Sequence, residues 1–230
     1  MYDKNLIENF FSDLQFDEEK HKYYVKGRPL DLSVSGILKY FENPFKADVT
    51  AGYVAKARGI TKGQVLHEWR EAKNLSLEIG NRSHNFGEFY AFNRDLIPQD
   101  GYQQAIVNFW ATVPEHVKVV CCEYRMYHKT KWYGGTLDIL LYNTLTNTFI
   151  IGDYKTNKDL HKNYKGQKLR GRFNDLLDTP YDKYKIQLNY YHLMLEQIPG
   201  VKVSSRKIIW IKPDGNFEIL DCEDYQDRIR

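Results

Sequence analysis

The stretch from Val117 to Lys155 constrains this chain most. Three runs rich in β-branched and aromatic residues follow one another there: VKVVCCEYRMYH (117–128), WYGGTLDILLY (132–142) and NTFIIGDYK (147–155). Only a few polar residues separate them, so the pattern predicts three successive strands joined by tight turns, an antiparallel meander. A polar, basic stretch follows at 156–178, then a helix over 181–197 carrying Tyr184, Leu188, Tyr191, Leu193 and Leu195, then strands KIIWIK (207–212) and NFEIL (216–220) about a turn at Pro213–Asp214–Gly215.

The chain ahead of Pro114 has another texture. Residues 3–12 predict a short amphipathic helix, residues 14–31 short strands with charged turns, and Ser33 or Ser35 a cap for a helix through Ile37, Leu38 and Tyr40. Helices are predicted over 46–58, 61–73, 77–93 and 101–112, with breaks near Gly59, Asn74 and Pro98. The expected architecture is α/β or α+β: a central mixed β-sheet flanked by helices, with a helical N-terminal elaboration. We expect one domain over 1–230, mostly helical in 1–113, with the sheet and its helix in 114–222.

Composition excludes several classes of function. The net charge of 230 residues is only +3, so a polyanionic partner would need locally concentrated cations. Three cysteines, Cys121, Cys122 and Cys222, offer neither zinc spacing nor the four thiolates of an iron–sulfur cluster. Adjacent Cys121 and Cys122 should point to opposite faces of a strand. No apolar run reaches membrane-spanning length, and MYDKNLIENF lacks a signal-peptide core. The expectation is an intracellular, cytoplasmic protein with no membrane partner.

The chemistry concentrates in 134–155. Residues two apart on a strand share a face, so Asp153 and Lys155 project together and Tyr154 points away. An adjacent antiparallel strand would bring Asp138 to the same edge. Two carboxylates and an amine suit phosphodiester hydrolysis. Hard oxygens bind Mg²⁺, which polarises a phosphoryl oxygen. The lysine could stabilise the developing charge or help deprotonate the attacking water; sequence leaves both roles open. Acid-x-Lys alone is a weak pattern, and it also occurs at Glu18–Lys20 and Glu71–Lys73. Only Asp153–Lys155 follows an apolar strand with a Gly-x-x-Asp segment, Gly135 to Asp138, upstream.

Four short motifs occur in order: Gly80–Asn81–Arg82–Ser83–His84, Gly135–Thr136–Leu137–Asp138, Asp153–Tyr154–Lys155 and Gln187–Leu188–Asn189–Tyr190–Tyr191. This ordered set resembles the PD-(D/E)XK nuclease superfamily, and within it the RecB-like exonucleases of phage and mitochondrial type. The likeness spans about residues 30–197 and is strongest over 119–191. It implies a restriction-endonuclease-like core and a metal-dependent deoxyribonuclease. It also implies Mg²⁺, with Mn²⁺ able to substitute, held by His84, Asp138, Asp153 and the Tyr154 main-chain carbonyl. Glu123, on the strand before Gly-x-x-Asp, is a further candidate ligand. Asp138, Asp153, Lys155, Gln187 and Tyr191 are the implied catalytic set. His67, in Gly63–Gln64–Val65–Leu66–His67, also fits Gly-x-x-x-His, and His84 is preferred.

From Lys155 to Arg172 there are seven Lys/Arg against one acid, Asp159. A flexible loop carrying Lys158, Lys162, Lys165, Lys168, Arg170 and Arg172 could hold a DNA backbone, with Tyr164 and Phe173 available for base stacking. Exonuclease activity on linear or single-stranded DNA, in replication, recombination or repair, follows by family analogy, with a helicase or recombinase as conceivable partner. The alternatives are a non-catalytic nucleic-acid-binding module on the same scaffold and a site-specific endonuclease.

Overall fold

The computed structural model describes residues 3–230. The predicted meander is present: β5 (Val117–His128), β6 (Tyr133–Asn143) and β7 (Thr148–Lys155) pair antiparallel in sequence order. A helix, α6 (Pro180–Leu195), returns the chain so that β8 (Val203–Ile211) lies parallel to β7, and β9 (Phe217–Asp221) closes the edge antiparallel. Pro180 stands at the start of α6, where its missing N–H costs nothing, and the Thr179 hydroxyl caps it by accepting from Asp182 N. The sheet is therefore mixed and six-stranded, because a two-residue strand, β4 (Leu32–Ser33), runs parallel to the beginning of β6. A separate three-stranded sheet, β1 (Leu14–Asp17), β2 (Lys22–Val25) and β3 (Arg28–Pro29), accounts for the charged turns near the N-terminus.

Strand alternation assigns side chains to two cores. Leu140, Tyr142, Phe149 and Ile151 face the side covered by α6, by α1 (Lys4–Asn9) and by α2 (Val34–Phe41). Ile139, Leu141, Ile150 and Tyr154 face the other side, covered by α5 (Gly101–Thr112) and the end of α4 (Lys62–Phe92). Cys121 packs with the first core and Cys122 with the second, as expected for neighbours on a strand.

Several boundaries differ from expectation. The helices predicted over 61–73 and 77–93 are one helix, α4, of 31 residues. Asn74 costs only ~0.5 kcal/mol inside a helix, too little to break one that is capped at Thr61 and packed at its far end. Its first half carries α3 (Ala47–Arg58) on a small core of Ala51, Ala55 and Val65, separate from the cores of the sheet. Asp138 lies in the middle of β6. The stretch 156–178 is not a flexible loop. Leu160, Leu169 and Phe173 are buried in the core, and Lys168 forms a β-bridge with Leu177.

Candidate metal centre and its clefts

The decisive feature is a fork in the sheet. On one flank β6 pairs with β5 nearly throughout; on the other it pairs with β4 at Tyr133–Gly134 and with β7 only from Ile139 to Asn143. Between these, Gly135 to Asp138 has no strand on that second flank, and β7 continues alone with β8. The Asp138 carboxylate fills the gap. Its Oδ2 accepts from the Tyr154 main-chain N–H at 2.8 Å, replacing the strand hydrogen bond that divergence removed. Gly135 lets α6 approach here, since a Cβ would lie 2.7 Å from the Tyr191 ring.

Three elements deliver side chains to the fork. His84, on α4, places Nδ1 3.2 Å from Asp138 Oδ2 and 3.8 Å from Glu123 Oε1. The donor atoms of His84, Glu123 and Asp138 all lie within 4.8 Å of one another. Glu123 adopts a left-handed backbone, φ 46°, in the middle of β5. An L-residue held there costs roughly 1–2 kcal/mol, a strain typical of functional positions. His67 is exposed on the outer half of α4, so the geometry selects His84 over it.

Asp153 and Lys155 project together from β7, and their side chains touch as an ion pair. Tyr154 points to the opposite core. Asp153 is 1% exposed and lies outside the three-residue cluster. Its Oδ2 is buried without a well-directed hydrogen bond, although it contacts the lysine. On α6, Gln187 Nε2 donates to Tyr191 Oη at 2.8 Å, and the charges of Asp153 and Asp138 act on the buried Tyr191 hydroxyl.

The electrostatics follow from crowding acids and bases in a dry place. Burial disfavours a charged His84. Asp138 outweighs it by charge and hydrogen bond, with help from Glu123, and holds the ring protonated up to about 10. Asp138 is buried too, yet His84 and Lys155 keep its carboxyl below the usual range. Asp153 moves the other way, to about 6, through burial and the neighbouring Asp138 charge. Burial opposes the Lys155 ammonium, but Asp153 and Asp138 raise its pKa. The lysine is thus held as a cation beside the two carboxylates. Two carboxylates and an imidazole around a point, beside a buried and poorly satisfied carboxylate oxygen, fit a divalent cation.

Sequence reading missed Tyr184. Its ring lies 4.4 Å from Lys155 Nζ, and its hydroxyl donates to Asn157 Oδ1 at 2.9 Å. Its position three residues before Gln187, on the same helix face, was the available signal.

Two clefts flank the cluster. One, of about 420 Å³, opens at His84, Lys155 and Tyr184. Asn157 and Lys158 also line a neighbouring groove of about 1240 Å³, whose wall carries five Lys/Arg against three acids, Glu42, Asp159 and Asp178. Of the basic segment, Lys158, Lys162, Tyr164 and Arg170 line this groove, joined by Lys39, Phe45, Lys183 and Trp210, which sequence did not single out. Lys165 and Lys168 are exposed but do not line it. Arg172 belongs elsewhere: its guanidinium donates to the Arg228 carbonyl at 2.6 Å. Phe173 is fully buried and cannot stack on a base. Both depart from expectation because the segment folds back on its own apolar anchors and on the C-terminal turn. The second cleft, of about 260 Å³, opens at Glu123, Gly135 and Tyr191.

No helix among the described residues is long and apolar enough to cross a membrane. No protein-family model matches the chain, and no curated protein matches it.

Proposed function

We propose that this chain is a divalent-metal-dependent deoxyribonuclease of the PD-(D/E)XK type, RecB-like group, acting as an exonuclease. The observation that carries this reading is the convergence, in one sheet fork, of His84, Glu123 and Asp138 with the Asp153–Lys155 pair. The cluster would hold Mg²⁺, and its imidazole makes Mn²⁺ an acceptable substitute. A bound ion would supply Lewis acidity to the scissile phosphoryl group and to the attacking water.

The chain's own residues do the rest. His84, Glu123 and Asp138 fix the ion's position, and the Tyr154 main chain orients Asp138. The Lys155 ammonium, steadied by the Tyr184 ring, neutralises charge that grows on phosphoryl oxygens in the transition state. Gln187 and Tyr191 hydrogen-bond to each other on α6, with the Tyr191 hydroxyl within the electrostatic reach of Asp153. Lys39, Lys158, Lys162 and Arg170 offer phosphates cationic contacts along the groove, while Lys183 is paired with Glu42 and Asp178. Three free thiols suit a reducing cytoplasm, and a helicase or recombinase that exposes strand ends would be a natural partner.

The test uses end-labelled linear, circular and single-stranded DNA, with Mg²⁺ or with chelator. Metal-dependent loss of linear but not circular DNA is expected. Lys155→Ala should lower turnover by roughly 100-fold or more, the scale of removing one charge-stabilising group. Equal turnover in that variant and the unmodified chain, or intact DNA throughout, refutes the reading.

A further inference from the structure

The clefts on the two sides of the cluster are unequal. The side at His84 and Lys155 adjoins the larger groove lined by Lys39, Lys158, Lys162 and Arg170. The side at Glu123 and Tyr191 is a pocket of about 260 Å³, below the ~300–1,000 Å³ of sites for drug-sized molecules. Its outer wall comes from the small N-terminal sheet. The Phe16 and Tyr23 rings lie 4.6 Å apart, His21 meets Phe16 edge-on at 5.1 Å, and the Arg125 guanidinium covers Phe16 at 4.9 Å. The Tyr23 hydroxyl shares a 2.8 Å hydrogen bond with Thr136 Oγ1, which fixes this wall two residues from Asp138. Arg125 pairs with Glu18 at 3.5 Å, but both side chains are open to water, so the guanidinium stays available to another anion.

Aromatic faces and a cationic guanidinium stacked on one of them, in one small pocket, are what an unpaired base and its phosphate recognise. We propose that this pocket takes the terminal nucleotide of a single DNA strand while the basic groove holds the remainder, so that nucleotides are released one at a time. The inference rests on the nuclease reading above. At each step the oxygen of water bonds to phosphorus and the P–O bond to the leaving sugar breaks. That sugar oxygen gains a proton, and nothing is oxidised or reduced. The products are a single nucleotide and a strand shortened by one.

The experiment reads product length from single-stranded oligonucleotides labelled at either end, digested with Mg²⁺. The unmodified chain is expected to release mononucleotides from the first turnover. Phe16→Ala should raise the half-saturating strand concentration about ten-fold, the size of one base–aromatic stack, and lengthen the products. Arg125→Ala, at an exposed side chain whose loss leaves the fold intact by thermal melting, should do the same. Deoxythymidine monophosphate should inhibit competitively, and less well in both variants. A chain that cuts but releases longer oligonucleotides, or whose product length in both variants equals that of the unmodified chain, overturns this assignment and leaves the nuclease reading standing. A chain that leaves all DNA intact overturns both.

Discussion

Gly87 separates local preference from tertiary demand. It lies inside α4, one turn beyond His84. Helix propensity alone says that Gly87→Ala should stabilise the protein by ~1 kcal/mol. The structure says the opposite. A Cβ there would lie 2.5 Å from Tyr154 Cε2 and 3.1 Å from Cδ2 and Cζ, where relaxed carbon contacts are ~3.5–4.0 Å. The ring has nowhere to go. Tyr154 is 1% exposed, its hydroxyl accepts from Trp110 Nε1 at 2.8 Å, and Phe109 meets it edge-on at 6.1 Å. Overpacking of this kind costs ~1–3 kcal/mol. The rigid neighbours put it at the upper end, so the net loss after the propensity gain is about 1–2 kcal/mol. For a chain of this size that lowers Tm by roughly 2–8 °C. Because Tyr154 lies between Asp153 and Lys155, relief of the clash moves β7 away from His84, and divalent-cation affinity should fall as well. Denaturant melts and metal titration measure the two effects. Tyr154→Leu provides the control: in that background Gly87→Ala should become neutral or stabilising, a coupling of about 2 kcal/mol in a double-mutant cycle. A Gly87→Ala protein more stable than the unmodified chain, with Tyr154 intact, would refute the reasoning.

Two further perturbations test the metal centre. Glu123→Gly removes a carboxylate from the cluster and the left-handed strain from β5. The metal-free protein should therefore gain up to about 1 kcal/mol while losing divalent affinity. Glu123→Gln should lose affinity without that gain, and parallel melts and cation titrations compare them. The His84 ring, protonated up to about 10 by Asp138 and Glu123, must give up its proton to bind a metal. Its raised pKa means its stabilising pairing is complete below the unfolded value of about 6.5 and is lost as pH rises through about 10. Near pH 7, cation binding should release about one proton per ion and tighten as pH rises, read by calorimetry in buffers of different ionisation enthalpy; zero release removes His84 from the ligand set.

The sequence carried the sheet and the chemistry local to it. Alternation in 117–155 specified the meander and put Asp153 and Lys155 on one face with Tyr154 opposite, because a strand has period two whatever surrounds it. The Gln187–Tyr191 contact was legible for the matching reason on a helix. What the sequence could not contain was which faces meet. The motif resemblance preferred His84 over His67, but only the fold shows which half of α4 packs on the fork and leaves His67 exposed. Glu123 was a candidate ligand from its strand, but its left-handed backbone is signalled by no residue type. Phe173 and Arg172, a stacking ring and a phosphate contact by local composition, were claimed by the core and by the C-terminal turn. Periodicity is set by bonds between near neighbours. The site is set by burial and divergence of strands far apart in the chain, and those are settled only when the whole fold closes.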